Sequence, residues 1–304
     1  MVNARKTVPG TLNQGLREKL FYIFSRLPTR ISTVARPFLE ALAGRDKPYF
    51  FETRILDQRM VMGGWVGVSG YMVQARLDGS DAETYRVYAH VLSPNERGVI
   101  LDIGSNFGQS LLVFKALAPD APVYCFEPIH RAADFLEQLF RRNAFTDCRL
   151  GRAALGDGSV DKVSLAYGVG ASDIASYAMG QPQHTLTQEA PSMTLDRYLE
   201  DHPVERIALI KIDVEGAEPE VISGALATIR RHKPPIVMEV LAQSDPKGGV
   251  SDKTRRMEKT LRELGYTWHW IAACGKLVAQ DPIAPDPVWW YKNYLLLPAE
   301  TTAR

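Results

Sequence analysis

The order of polar and apolar residues in Val99-Ile100-Leu101-Asp102-Ile103-Gly104-Ser105-Asn106-Phe107-Gly108-Gln109-Ser110 already describes a supersecondary unit. A short apolar run ends in Asp-x-Gly-x-x-x-Gly, and a helical pattern follows. A second apolar run, Val123-Tyr124-Cys125-Phe126, then ends in an acid, Glu127. Strand, glycine turn, helix and acid-terminated strand together make a unit that holds an adenosine-containing cofactor. The turn lets the ligand approach the backbone, and the acid accepts hydrogen bonds from ribose hydroxyls.

The turn chemistry narrows the cofactor. A dinucleotide fingerprint reads G-x-G-x-x-G, with the pyrophosphate resting on the helix N-terminus. Counting from Gly104, this chain has Asn106 and Gln109 where the second and third glycines belong. No G-x-x-x-x-G-K-[ST] phosphate loop is present. The chain offers instead an acid before the turn, Asp102, and a polar Asn106 inside it. A zwitterionic methionine moiety suits that chemistry: Asp102 attracts its ammonium group, directly or through water, while Asn106 and turn amides hold the rest. The expected cofactor is S-adenosylmethionine.

Outward from this unit, strands and helices alternate as in a doubly wound sheet. Strands are expected at 99–103, 123–127, 148–155, 207–213 and 236–240, closed by two near 266–271 and 289–297. Ile207-Ala-Leu-Ile-Lys-Ile-Asp213 is nearly all apolar before its acid, as a strand covered on both faces should be. A hairpin insert is expected at about 160–180. Ligands of open α/β sheets bind outside the carboxyl ends of the strands. Glu127, Asp213 and Glu239 stand at such ends, and Asp157 follows the third strand, placed to meet an adenine amino group. Acids converging on one sheet edge mark a polar site that a purely structural sheet would not require.

Composition adds bounds. The 304 residues carry a formal net charge of +1, so bulk charge favours no particular partner and no nucleic acid is expected. No apolar run approaches the ~20 residues of a membrane helix. Three cysteines without metal spacing fit a reducing, cytoplasmic setting. Residues 1–36 carry seven Arg and Lys against Glu18 alone, and Leu16, Leu20, Ile23, Phe24 and Leu27 repeat at helical spacing. Two readings stand for this segment: a cap on the main domain or a partner subunit, giving a homo-oligomer, or a basic amphipathic contact with membrane or acidic substrate. Residues 50–78 read as β-structure around a turn, with Gly63-Gly64 interrupting it, and 82–93 as a helix. The expected organisation is an extension over 1–94, for capping or oligomerisation, and a cofactor-binding domain over 95–304.

Leu101-Asp-Ile-Gly-Ser-Asn-Phe-Gly108, Phe126-Glu-Pro128, Ala154-Leu-Gly-Asp157, Thr194-Leu-Asp196, Lys211-Ile-Asp-Val-Glu-Gly-Ala-Glu218 and Asn293-Tyr-Leu-Leu-Leu-Pro298 resemble, in this order, motifs of the FkbM-type methyltransferase family. Ser105 stands where that family often has alanine. The resemblance implies a class I methyltransferase fold: a Rossmann-like, doubly wound seven-stranded sheet with one antiparallel strand. It implies methyl transfer from S-adenosylmethionine, usually to a hydroxyl of a sugar or glycan or of a polyketide-type natural product. Carried onto the motifs, cofactor binding falls to Asp102, Gly104, Ser105, Asn106 and Gly108 around the turn. Glu127 and Pro128 follow after the second strand, then Ala154, Leu155 and Asp157 after the third, and finally Asp213. A non-catalytic or regulatory S-adenosylmethionine-binding member of the same fold is the alternative.

Methyl transfer to an alcohol needs in-line alignment and a base. Asp213 is the candidate base, with Glu215, Glu218 and Glu239 sharing its rim. Either Asp213 takes the proton, with acidic neighbours raising its pKa, or Asp213 and Glu239 help bind Mg²⁺, which polarises the hydroxyl. His184, in a polar loop, is an alternative base. The loops 168–192 and 241–250 are expected to cover the acceptor pocket.

Overall fold

The computed structural model describes residues 48–56, 58–65, 82–168, 175–176, 185–241, 250–272, 275–280, 283 and 291–299. The basic segment over 1–36, His184 and most of the 241–250 loop lie outside them. The first elements are a hairpin, β1 (Pro48–Ile55) and β2 (Gln58–Trp65), and a helix, α1 (Ala82–Val91). The hairpin reverses at Leu56, so Gly63 and Gly64 sit inside β2 rather than at the turn.

The central unit follows the sequence reading closely: β3 (Val99–Ile103), α2 (Gln109–Leu117), β4 (Val123–Phe126) and α3 (His130–Asn143). The expected third strand is two. β5 (Arg149–Gly151) pairs with β4, whereas β6 (Ala154–Leu155) leaves the main sheet. The break falls at Arg152-Ala153, where the Arg152 guanidinium ion-pairs with Asp134 and Glu137 of α3 at 2.8 and 2.9 Å. β6 joins β7 (Lys162–Gly168), β8 (Ala175–Ser176) and β9 (Thr185–Met193) in a second, four-stranded sheet of order β6-β9-β7-β8. The stretch expected as a loop over 168–192 therefore holds all but the last residue of the nine-residue β9.

The chain continues through α4 (Leu195–Asp201), capped by the Thr194 hydroxyl, which accepts from the Arg197 amide at 3.0 Å. β10 (Ile207–Ile212), the short helices α5 (Glu218–Ser223) and α6 (Leu226–His232), and β11 (Ile236–Leu241) follow. α7 (Asp252–Glu263) starts at a Ser251 cap and gives way at Gly265, whose φ is +87°. β12 (Tyr266–Ile271), β13 (Leu277–Ala279) and β14 (Tyr291–Pro298) complete the main sheet. Its order is β13-β12-β14-β11-β10-β3-β4-β5. β3, β4, β5, β10 and β11 run parallel, and β14 lies antiparallel between β11 and β12. Seven strands thus take the class I methyltransferase arrangement, and the short β13 adds an eighth at the edge.

Two apolar layers cover the sheet. One is built around α2 and α3, and it takes in Phe50, Ile55, Met60 and Met62 of the hairpin and Val87, Tyr88 and Leu92 at α1. The hairpin and α1 therefore share the core of the main domain. Asn143 fastens the hairpin: its side-chain amide exchanges two 2.7 Å hydrogen bonds with the backbone of Val61. The second layer packs α5, α6 and α7 against the other face through Ile210, Ile212, Ile229, Met257 and Trp268.

Candidate active site

Strand register explains how the site is assembled. Parallel pairing sets Cys125 beside Asp102, Asp102 beside Lys211, and Lys211 beside Val237. Leu150 and Leu295 extend the row at either end. Neighbours in register share a face of the sheet, so a carboxylate and an ammonium meet inside an apolar row. Two positions further along these strands come Glu127, Gly104, Asp213 and Glu239, with Asn293 of β14 opposite Glu239. All five line one cavity of about 370 Å³ at the carboxyl edge of the sheet. The edge on which the sequence placed its three acids is the edge on which the cavity opens.

Gly104 makes the close approach possible. Its φ is +78°, and a Cβ there would lie 1.8 Å from the Asp213 carbonyl oxygen. No other residue type fits that turn. Asn106 also adopts a left-handed conformation, with φ +47°, which asparagine tolerates better than most side chains. This geometry aims its amide at Glu127, whose Oε2 accepts from Asn106 at 2.8 Å while Oε1 accepts from the Ile129 amide at 2.8 Å. Each oxygen keeps a second lone pair. Burial raises the Glu127 pKa to about 7, against the pull of the two amides and Lys211. Ser105 lines the cavity but commits its hydroxyl to the Asp102 carbonyl oxygen at 2.6 Å.

Pro128, Ala154, Leu155 and Asp157 also reach the wall. The exposed Asp157 carboxylate accepts from the Ser159 amide at 2.9 Å, and its bonds to Ser159 hold its pKa below the ordinary value. Two expected cofactor residues stand elsewhere. Gly108 is the N-cap of α2 and is not part of the cavity wall; a Cβ there would meet Leu139 and Leu136 at 2.8 and 2.9 Å, so its lack of a side chain serves helix packing. Asp102 is fully buried behind the turn and does not line the cavity, so no cofactor ammonium reaches it directly. Its pKa is raised by burial, with Lys211 opposing the shift.

Lys211 also lines the cavity, a residue to which the sequence reading gave no role. Its Nζ donates to the Gly104 carbonyl at 2.7 Å and stands 3.4 Å from Asp102 Oδ1 and 3.5 Å from Asp213 Oδ2. Burial works against its charge, but Asp213, Asp102 and Glu239 outweigh burial and raise its pKa. The signal was a single lysine in a six-residue strand otherwise made of Ile, Ala and Leu. Also unanticipated are Thr84, Tyr85 and Tyr88 of α1, which close one side of the cavity.

The acids of the acceptor rim divide. Asp213, Glu215 and Glu239 are half-buried, and each brings one oxygen within 4.8 Å of the others. That donor set suits a hard cation in type, yet the Lys211 ammonium already stands beside Asp213. Glu218 is buried at the start of α5 and folds back so that its Oε1 accepts from the Gly216 amide at 2.9 Å. Burial raises its pKa to about 7, and its contacts are those of a helix-terminus carboxylate.

The model of the methyltransferase FkbM domain matches residues 102–267, just over half of the chain. The chain belongs to the FkbM methyltransferase family. A curated member of known proteins, the 2-O-methyltransferase NoeI of Sinorhizobium fredii, is 30% identical over 161 residues. That match covers 48% of this chain and 65% of NoeI, so the chain spans somewhat under two-thirds of that relative. The methyltransferase FkbM crystal structure from Methylobacillus flagellatus is similar over 75% of this chain and 53% of its own, at 17% identity and a TM-score of 0.41. Aeropyrum pernix fibrillarin, solved with natively bound S-adenosyl-L-methionine, is similar over 83% of each chain, at 15% identity and a TM-score of 0.41. Among the described residues no helix is long and apolar enough to cross a membrane.

Proposed function

We propose that this FkbM-family methyltransferase is an S-adenosylmethionine-dependent O-methyltransferase whose acceptor is a hydroxyl of a sugar, glycan or polyketide-type natural product. The observation that carries the reading is the polar row Glu127, Gly104, Asp213 and Glu239 along one cavity. Glu127 has lone pairs for ribose hydroxyls. Ile129, Ala132 and Leu155 give an apolar wall for adenine, with Asp157 at its rim. The backbone around Gly104 leaves room for the methionine portion. When bound, S-adenosylmethionine supplies a methyl group on a sulfonium leaving group.

Asp213 accepts the proton of the acceptor hydroxyl as the oxygen takes the methyl, a contribution of roughly 10²–10⁴ in rate. Glu239 and Asn293, adjacent in register, orient that hydroxyl toward Asp213. Tyr85 and Tyr88 shield the cavity from water on the α1 side. NoeI, named as a 2-O-methyltransferase, supports oxygen as the acceptor atom. In a magnesium-assisted version, Asp213, Glu215 and Glu239 would hold the ion, which would supply Lewis-acid polarisation of the hydroxyl. The ammonium on Asp213 disfavours a dication there, so turnover should survive EDTA.

The test is transfer of radiolabelled methyl from S-adenosylmethionine to a panel of methyl glycosides and macrolide alcohols. Label on a hydroxyl oxygen, lost in Asp213→Asn, supports the reading. Label on nitrogen or carbon, or wild-type protein that binds no S-adenosylhomocysteine, contradicts it.

A further inference from the structure

Stability alone does not account for a lysine near the carboxyl end of β10. A buried ion pair is often no more stabilising than well-packed apolar residues of the same size, and the other five residues of β10 are apolar. From Leu150 to Leu295 the row at this level is also apolar except for Asp102 and Lys211. Two features mark this pair. Among the described residues neither oxygen of Asp102 has a hydrogen-bond partner, although both are fully buried. The ammonium that balances Asp102 is turned toward the cavity, with its one short bond to the Gly104 carbonyl.

Resting on the methyltransferase reading above, we infer that Lys211 is a positioning residue of methyl transfer. It ties the cofactor turn at Gly104 to the acceptor acid Asp213, and Asp102 is its buried counter-ion. An ammonium has three donors in a fixed tetrahedral arrangement. Here one donates to the first backbone carbonyl of the turn at 2.7 Å, and the buried and cavity carboxylates stand 3.4 and 3.5 Å from the same nitrogen. One atom thereby sets the spacing between the wall that holds the methyl donor and the group that takes the proton. Small errors in such spacing are costly for an in-line displacement. Asp102 balances the charge of the ammonium inside the sheet without touching either ligand, while the Gly104 carbonyl and Asp213 fix its position. This also gives a reason for the acid of the Asp-x-Gly turn other than ammonium recognition.

The experiment compares S-adenosylhomocysteine affinity, by calorimetry, in wild type, Asp102→Asn, and the double variant Asp102→Asn/Lys211→Met. The double variant removes both buried charges together, so it avoids an unpaired carboxylate. It should melt within a few degrees of wild type yet bind S-adenosylhomocysteine at least tenfold more weakly. Asp102→Asn alone, which keeps the ammonium, should stay within about threefold. A folded double variant with wild-type affinity overturns the inference, and so does an Asp102→Asn loss as large as that of the double. If the double variant fails to fold, ¹⁵N spectra of wild-type lysine ammonium groups decide. Lys115, equally buried but remote from the cavity, is the internal reference. The Lys211 signal should move on addition of S-adenosylhomocysteine while the Lys115 signal stays; two unmoved signals on a ligand-saturated protein overturn the inference. Wild-type protein with no affinity for the ligand sinks the cofactor reading itself, and the inference falls with it.

Discussion

Lys115 and Lys211 are both buried lysines, at opposite edges of one sheet, and their surroundings differ in a telling way. Lys115, in the last turn of α2, donates to the Pro119 and Ala121 carbonyls at 2.6 and 3.1 Å and to Asp147 at 2.8 Å. Its three donors meet three oxygens, and the result is a clamp on the connection into β4. Lys211, at the carboxyl edge, has one short bond, two carboxylates at longer range and a cavity beside it. A completed set of contacts belongs to the framework. An incomplete set beside open space marks the edge where a ligand finishes the structure.

That division can be broken by mutation. Asp213→Asn should have the largest effect, a loss of roughly 10²–10⁴ in turnover, with S-adenosylhomocysteine affinity within a few-fold of wild type. Unchanged turnover removes Asp213 from the chemistry. At the other edge, Lys115→Met should cost about 2–3 kcal/mol of stability, read from the denaturant midpoint, since it strands two carbonyls and a carboxylate. Ligand affinity of the folded variant should not move; if it does, the two edges are not separate. Glu127→Ala should weaken S-adenosylhomocysteine binding by about 1–3 kcal/mol, the scale of a lost charged hydrogen bond. Full affinity in that variant would place the ribose elsewhere.

The smallest effect is a pH dependence. Glu127 and Glu218 both have folded-state pKa values raised from 4.5 to about 7 by burial. Between these values the folded state binds more protons than the unfolded one, so stability falls as pH rises. Their contribution is fully present below about 4.5 and is lost as pH passes about 7. Melting curves of ligand-free protein should show this decline, and Glu218→Gln should flatten it. An unchanged slope in Glu218→Gln would mean that this carboxyl is not held protonated by the fold.

What the sequence made legible follows from how local each signal is. Val99–Ile103 read as a strand and Ile207–Ile212 as one buried on both faces because five or six consecutive residues carry the pattern. Glu127, Asp213 and Glu239 were visible as acids ending such runs, and the topology does gather them. Lys211 was in plain view but has meaning only through its register with Asp102, a residue more than a hundred positions earlier, and no local pattern carries that pairing. β9 escaped because Thr185–Met193 contains few large apolar residues and a proline, Pro191, which pairs with Lys162 in the smaller sheet. The packing at Gly108 was hidden for a similar reason: a glycine that admits a ligand and one that admits two leucines of α3 look alike in one dimension. The tyrosines of α1 reach the cavity because the hairpin and α1 share the main core.

The most direct test of the central claim is a crystal structure of the protein with S-adenosylhomocysteine. The account predicts adenosine against Leu155 with its ribose on Glu127, and the sulfur between the Gly104 turn and Asp213. An empty cavity at saturating ligand, or the ligand bound away from this edge of the sheet, would contradict it.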